Sequence, residues 1–172
     1  LNIYGYSKQL FDQYAARNGM FDRIVGLKYF NVFGPNEDHK GDMRSLVNKA
    51  FDQINETGRL KLFKSASPEY EDGEFGRDFV YVKDAVDMTL HFLERDGGGL
   101  FNVGSGRMNT WNALADAIFK ALDRPLDVEF VEMPEELRGK YQYRTEADIS
   151  RIREAGYPGE ITPLEEAVAD YV

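Results

Sequence analysis

Cysteine is absent from the 172 residues. That excludes disulfides and thiolate-bound metal, and it suits a reducing compartment, so a cytoplasmic location is expected. Histidine occurs only twice, at His39 and His91, without the partner spacing of a zinc site. No apolar run approaches the roughly 18 residues of a membrane-spanning helix, so no membrane partner is expected. No basic stretch leading into an apolar core opens the chain as a secretion signal would. Basic residues are in the minority, with 21 Lys and Arg against 30 Asp and Glu and a net charge of −9. A surface of that sign argues against nucleic acid, whose binding needs a basic face. It leaves room for a phosphorylated small molecule held by a few local cations. Internal repeats and low-complexity segments are missing as well. So is the glycine-rich strand–turn–helix of a dinucleotide-binding unit. Gly104-Ser105-Gly106 follows a strand-like segment but lacks a third glycine at the right spacing, and it reads as a tight loop.

What remains is an ordinary globular composition, 42% hydrophobic and 13% aromatic. The stretch 4–17 carries Leu10, Phe11, Tyr14 and Ala15 at helical spacing, with Gly19 as its stop. Residues 23–34 read as one buried strand ending in a Gly-Pro break. A second amphipathic helix is expected over 43–54, with Leu46, Val47, Ala50, Phe51 and Ile54 on one side. Residues 60–63 read as a strand, 65–76 as an acidic loop, and 77–82 as another strand. Asp84 is the expected cap of the helix that follows. Residues 97–106 contain a glycine-flanked strand, and Thr110 caps the helix behind it. The alternation in 126–134 predicts a strand. A short helix is expected over 147–155, closed by Gly156. Thr162, Pro163 and Glu165 have the pattern of a capping box opening a last helix. Strands alternating with helices predict a layered α/β protein.

One pair of residues stands out chemically. Tyr4 and Lys8 lie four apart on the first helix, which puts them on one face about 6 Å apart. An ammonium near a phenol favours the phenolate and lowers its pKa. Such a phenol can exchange a proton with an alcohol while a cofactor moves the hydride. The pattern is short, and a core tyrosine beside a surface lysine satisfies it equally. Glu135, Glu136 and the acidic run 70–74 read as solvated charge.

In context the pair says more. "YGYSK" on a helix, then "YFNVFGP", "RDFVYVKDAV" and "FNVGSG" in that order, resemble the extended short-chain dehydrogenase/reductase family of nucleotide-sugar enzymes. The segment "NVFGPNEDHKGDM" and the long stretch "LRGKYQYRTEADISRIREAGY" are similar to the ADP-glycero-manno-heptose 6-epimerase group of that family. The resemblance implies a Rossmann-type α/β enzyme seen from its catalytic helix onward, with the glycine-rich turn expected ahead of Leu1. Residues 1–35 would then close the dinucleotide-binding domain. Residues 36–172 would form mostly a smaller α/β substrate domain, with 78–95 returning to the Rossmann sheet. The implied reaction is epimerisation at C6″ of an ADP-heptose through a transient ketone, with NADP as cofactor, on the route to the lipopolysaccharide inner core. A homo-oligomer is implied too. Another nucleotide-sugar epimerase, dehydratase or reductase, or a non-catalytic relative, are the alternatives.

Position by position, the resemblance makes Tyr4 the proton-transfer phenol and Lys8 the lysine that holds the nicotinamide ribose. Lys40 would be a second acid/base, needed because the ketone must turn before it is reduced on its other face; it would also touch the cofactor, as would the backbone at Val32. Asn31, Phe63, Lys64, Ser65, Ala66, Arg77 and Tyr141 fall at substrate-binding positions. Arg77 would take the nucleotide part, a role suited to a planar guanidinium that can pair with phosphate or stack on a base; an ion pair with Asp72 or Glu74 is the plainer reading. Asp42 and Lys49 stand where the family would have a serine and a histidine. A carboxylate there is expected to pair with Lys40 or Lys49.

Overall fold

The computed structural model describes residues 3–93 and 97–172. Fifteen elements succeed one another: α1 (Ile3–Arg17), β1 (Val25–Tyr29), β2 (Asn31–Phe33), α2 (Leu46–Thr57), β3 (Leu60–Phe63), β4 (Gly76–Arg77), β5 (Phe79–Tyr81), α3 (Val82–Leu90), β6 (Gly99–Val103), β7 (Asn109–Thr110), α4 (Trp111–Ala121), β8 (Val128–Val131), α5 (Glu135–Arg138), α6 (Ser150–Glu154) and α7 (Leu164–Tyr171). Short 3-10 turns at Met20–Asp22 and Asp38–Met43 punctuate them. The expected α/β class is borne out. Three strand pairs, β1 with β6, β2 with β5 and β3 with β8, run parallel, and β4 pairs antiparallel with β7.

The segment read as one strand over 23–34 is two. The Phe30 N–H donates to the Val103 carbonyl (2.9 Å) and the next N–H, that of Asn31, donates to the Asp78 carbonyl (3.1 Å). The chain thus changes partner between adjacent residues. The segment 77–82 divides in the same way, with Asp78 between β4 and β5 and Val82 already helical.

Strand β5 is buried on both faces, as alternation along a strand requires when each face has a core to meet. Phe79 and Tyr81 join one hydrophobic cluster, with Phe33 from β2, Val47 and Ile54 from α2, Leu60 and Leu62 from β3, Ile118 and Phe119 from α4, and Val168 from α7. Val80 faces the other way, into a second cluster with Met88 from α3, Phe101 and Val103 from β6, Ile152 from α6, and Tyr157. Helix α2 forms as its periodicity predicts, with Ser45 accepting from the Asn48 N–H and Gly58 closing it at φ 76°. Met43, expected inside that helix, lies in the preceding turn and is exposed. Thr110 caps α4 by accepting from the Ala113 N–H (3.1 Å).

Two expected caps are absent. Asp84 does not cap α3, whose boundary residue is Tyr81. Its buried carboxylate accepts instead from the N–H (2.8 Å) and hydroxyl (2.7 Å) of Thr162. Thr162 is thereby taken from α7, where Pro163 stands at the boundary without a side-chain cap. Asp84 already lies within the first turn of α3, past its boundary, so the tertiary contact costs only α7 a candidate cap. The helix expected over 147–155 is also shorter: the Ala147 N–H donates to Asp78 (2.9 Å) and α6 opens only at Ser150.

The apolar stripe of α1 is not buried as its spacing predicts. Leu10, Phe11 and Tyr14 are exposed, Phe11 by 57%, and only Ala15 is covered. The helix rests on the Met20–Asp22 turn and is tied to β1 by the Asp12–Lys28 ion pair. Among the described residues no helix is long and apolar enough to cross a membrane.

The Asp84–Thr162 contact couples α3 to the start of α7. Thr162→Val is expected to lower the unfolding free energy by about 1–2 kcal/mol, because it leaves a buried carboxylate oxygen without its hydroxyl donor; urea denaturation followed by circular dichroism measures this.

Candidate functional site

Arg77 lies on β4, whose pairing with β7 sets Gly76 opposite Thr110 and Arg77 opposite Asn109. The approach is close enough to require glycine at position 76, since a Cβ there would fall 1.9 Å from the Asn109 carbonyl oxygen. The Arg77 guanidinium lies 5.1 Å from the ring centre of Tyr141 and 5.8 Å from that of Trp111. One of its nitrogens donates to the Gly76 carbonyl (3.0 Å). It forms no ion pair with a described carboxylate. The two acids proposed as partners are engaged elsewhere: Asp72 accepts from the Ser65 N–H (2.7 Å) and Glu74 from the Asn112 amide (2.5 Å).

Burial pushes the Arg77 pKa down, an effect the neighbouring Tyr141 only partly offsets. Burial likewise raises the Tyr141 phenol, with Arg77 and the nearby Trp111 indole pulling it back. The indole N–H is buried without a hydrogen bond of proper geometry. A guanidinium stays charged even when desolvated. The slot therefore holds a cation between aromatic faces, with donors unused and no anion supplied by the described residues. A phosphate or a nucleobase is the chemistry that fits it.

The aromatic wall continues outward. Tyr141 meets Phe75 edge-on at 5.5 Å, and Tyr143 stacks on Tyr70 at 5.5 Å. The Tyr143 hydroxyl accepts from the Ala66 N–H (3.2 Å). Phe63 to Ala66 thus run beside the same wall, with Ser65 fixed by Asp72 and Lys64 paired with Glu132 (2.9 Å). Of the residues singled out from sequence, the structure brings Phe63, Lys64, Ser65, Ala66, Arg77 and Tyr141 into one neighbourhood.

A second group surrounds the turn after β2. Glu37 is 3% exposed and accepts from the N–H groups of Gly34 (3.2 Å) and Ser45 (2.7 Å). Lys40 places its amine 3.5 Å from the same carboxylate. The expected pairing of the Asp42 carboxylate with a lysine is not made: Lys40 turns to Glu37, and Lys49 donates to the Asp42 main-chain carbonyl (2.5 Å). Asn31 is exposed at the head of β2. Val32 is half-buried and lines an apolar cavity of about 360 Å³ with Tyr29, Val82, Ala85, Val86, Thr89 and Leu90.

The third group is the first helix. The Lys8 amine sits 5.0 Å above the Tyr4 ring, and Tyr4 is 71% exposed. The spacing argument is met, with the cation over the ring face. Tyr4, Lys8 and Lys40 line neither the Val32 cavity nor a second one of about 370 Å³ beside Tyr171. No group of three or more metal-ligating side chains occurs among the described residues.

Sequence reasoning did not find Glu37, Asp78 or Trp111. The signal for Asp78 was present: a carboxylate inside a run of strand-forming apolar residues must have its acceptors satisfied within the fold.

A sequence model of the NAD dependent epimerase/dehydratase family matches residues 1–104. The chain belongs to this family. The ADP-L-glycero-D-manno-heptose-6-epimerase of Nitratidesulfovibrio vulgaris (strain DP4) is 53% identical over 173 aligned positions, covering all of this chain and 54% of that protein. Among solved structures, the Helicobacter pylori ADP-L-glycero-D-manno-heptose-6-epimerase superposes with a TM-score of 0.81 at 26% identity, over 99% of this chain and 49% of that one. A UDP-N-acetylglucosamine 4-epimerase from Methanobrevibacter ruminantium M1 gives 0.75 at 26% identity, over 96% and 50%. The chain spans about half the length of the curated relatives it matches. The resemblance drawn from the motifs is thus confirmed at the level of the family.

A nicotinamide dinucleotide is implied by that membership. The Lys8 amine has no described carboxylate as a partner and stands over the Tyr4 ring, and Val32, whose N–H donates to the Phe30 carbonyl (2.9 Å), borders an apolar hollow; neither feature conflicts with such a group.

Burial raises the Glu37 carboxyl, but the Ser45 and Gly34 donors and Lys40 outweigh it and hold it below the usual 4.5. A carboxylate with a depressed folded pKa contributes stability that is complete above its unfolded value and is lost as pH falls through the folded one. Glu37→Gln is therefore expected to be less stable than the parent chain near neutrality by about 1–2 kcal/mol. The gap should narrow as acid protonates Glu37 in the parent chain; urea midpoints from about pH 6 down to about pH 3 test it.

Proposed function

We propose that this chain forms the catalytic-helix and substrate-binding part of an NADP-dependent ADP-glycero-manno-heptose 6-epimerase, in which residues 1–35 close the dinucleotide-binding domain. The observation that carries this reading is the Arg77 slot. A desolvated guanidinium between Tyr141 and Trp111, with no anion of its own, is a receptor for the phosphate and base of a nucleotide sugar. The names of the most similar relatives supply the sugar.

In this reading Arg77, Tyr141 and the 63–66 loop hold the ADP part. Asn31, Asp42 and Lys49 lie along the heptose. When bound, the nicotinamide dinucleotide supplies reversible oxidation at C6″. Lys8 and the Val32 backbone hold that cofactor, and Lys40 lies against it. Tyr4, as phenolate, takes the proton of the C6″ hydroxyl as that carbon is oxidised to the ketone, and becomes the neutral phenol. The ketone then turns, and Lys40 delivers a proton to the oxygen on the opposite face. Glu37 fixes the Lys40 amine on the turn after β2, so that the two acid/base groups come from different sides of the substrate. The protein works as a cytoplasmic homo-oligomer, handling a small molecule rather than nucleic acid or membrane.

The protein carrying this chain, at its natural length, should epimerise ADP-D-glycero-heptose and leave UDP-glucose unchanged; conversion of UDP-glucose alone would reject the heptose assignment. Tyr4→Phe and Lys40→Met should each reduce turnover by roughly 10²–10⁴-fold, the usual contribution of a positioned acid/base. A non-catalytic relative would lose nothing in either variant. Arg77→Met should raise KM with kcat retained, because it removes binding common to ground and transition states.

A further inference from the structure

The Asp78 side chain is fully buried, and no described cation pairs with it. Its carboxylate accepts four hydrogen bonds instead. One oxygen takes the N–H (2.7 Å) and hydroxyl (2.8 Å) of Ser105, and the other takes the N–H groups of Gly106 (2.9 Å) and Ala147 (2.9 Å). Its own N–H donates to the Thr145 hydroxyl (3.2 Å). Gly104 lets the backbone pass close by the group, since a Cβ there would stand 2.5 Å from that of Ala147 and 3.1 Å from an Asp78 oxygen.

The donors come from two segments remote in sequence, and each leads to one wall of the Arg77 slot. From Ser105 the chain runs through β7, paired with Arg77 itself, into Trp111. From Ala147 it runs back through Arg144, bridged to Gly76, and Tyr143, whose carbonyl accepts from the Gly76 N–H (3.0 Å), to Tyr141. Asp78 adjoins Arg77 in sequence. The cation and both aromatic walls are therefore referred to one carboxylate.

We propose that Asp78 is the positioning residue of the nucleotide subsite, setting the separation of Trp111 and Tyr141 about the Arg77 guanidinium. The proposal rests on the nucleotide reading of that slot. Only a carboxylate suits the place. It offers acceptor sites to all four donors, whereas an amide must turn its NH₂ toward one of the two pairs, and each pair contains a backbone N–H that cannot accept. Asp78→Asn thus keeps size and shape while setting donor against donor at one segment. Its effect should fall on the slot and spare the cofactor-binding residues of α1.

The test uses the protein at its natural length, with ADP and NADP titrated separately by calorimetry. In Asp78→Asn the Kd for ADP is expected to rise roughly tenfold, as one lost and unsatisfied buried hydrogen bond implies, while that for NADP stays within about twofold. In turnover, KM for the nucleotide sugar should rise with kcat retained. Thr145→Val, which removes only the hydroxyl acceptor of the Asp78 N–H, should weaken ADP about two- to fivefold. It decides the matter if Asp78→Asn does not fold. Equal loss of ADP and NADP affinity would show a general structural role and overturn the proposal, as would unchanged ADP affinity in both variants. Arg77→Met separates the two levels. If it leaves ADP binding intact, the nucleotide reading fails and takes the proposal with it. If it weakens ADP while Asp78→Asn and Thr145→Val do not, the positioning role alone is rejected.

Discussion

The exchange of strand partners at Phe30 and Asn31 is the constraint on which the rest of the structure depends. At that step the backbone leaves Val103 and takes up Asp78. β2 then pairs with β5 and not with β6, and the two faces of β5 are covered by different sets of elements. One three-residue strand separates two hydrophobic clusters, with Val80 in one and Phe79 and Tyr81 in the other. A slip of one residue would exchange these side chains between clusters of different shape, so the register is held by packing as well as by hydrogen bonds. The same step puts the end of β1 and the start of β2 next to the Arg77–Asp78 junction, and that junction carries the slot.

Local rules recovered the elements and missed their interruptions. Thr110 caps its helix as its sequence position indicates, because nothing from elsewhere competes for it, whereas Ser45, placed inside the helix expected over 43–54, is the residue that caps α2. Thr162 and Asp84 satisfy the same local rule on paper but find each other across the fold. The segments 23–34 and 77–82 are mostly apolar, and such a run carries little mark of where a strand changes neighbour. Only the odd residue, Asp78 within "RDFVYV", hinted at the break. The four donors it meets lie at positions 105, 106 and 147, far beyond the reach of any window-based reading.

The site divides along the same line. Tyr4 and Lys8 could be paired from sequence because a helix fixes i and i+4 geometry by itself. Arg77 and Tyr141 could be named from motif likeness, but their meeting is a tertiary fact. So is the part played by Trp111, which reads on sequence as the first residue of a capped helix and turns out to flank the guanidinium. The exposed apolar face of α1 marks the limit of periodicity arguments. The spacing of Leu10, Phe11 and Tyr14 states that a face exists and says nothing of what lies against it.

How a chain of net charge −9 can leave a cation without an anionic partner, as the proposed nucleotide site requires, is answered by the disposition of the nearby carboxylates. Asp72 is bound to a backbone N–H, Glu74 to an amide, Asp78 to three backbone N–H groups and a hydroxyl, and Glu132 to Lys64. Hydrogen bonds from neutral donors stabilise a carboxylate without requiring a guanidinium, so the acids around the slot are satisfied and Arg77 is left over. More distant carboxylates act through water and salt, which screen them over about 8–10 Å. Inside the slot, between two aromatic faces, the screening is weaker and a single cation acts strongly at short range. Net charge thus governs what the protein repels at a distance, while the pairing of individual acids decides what it binds.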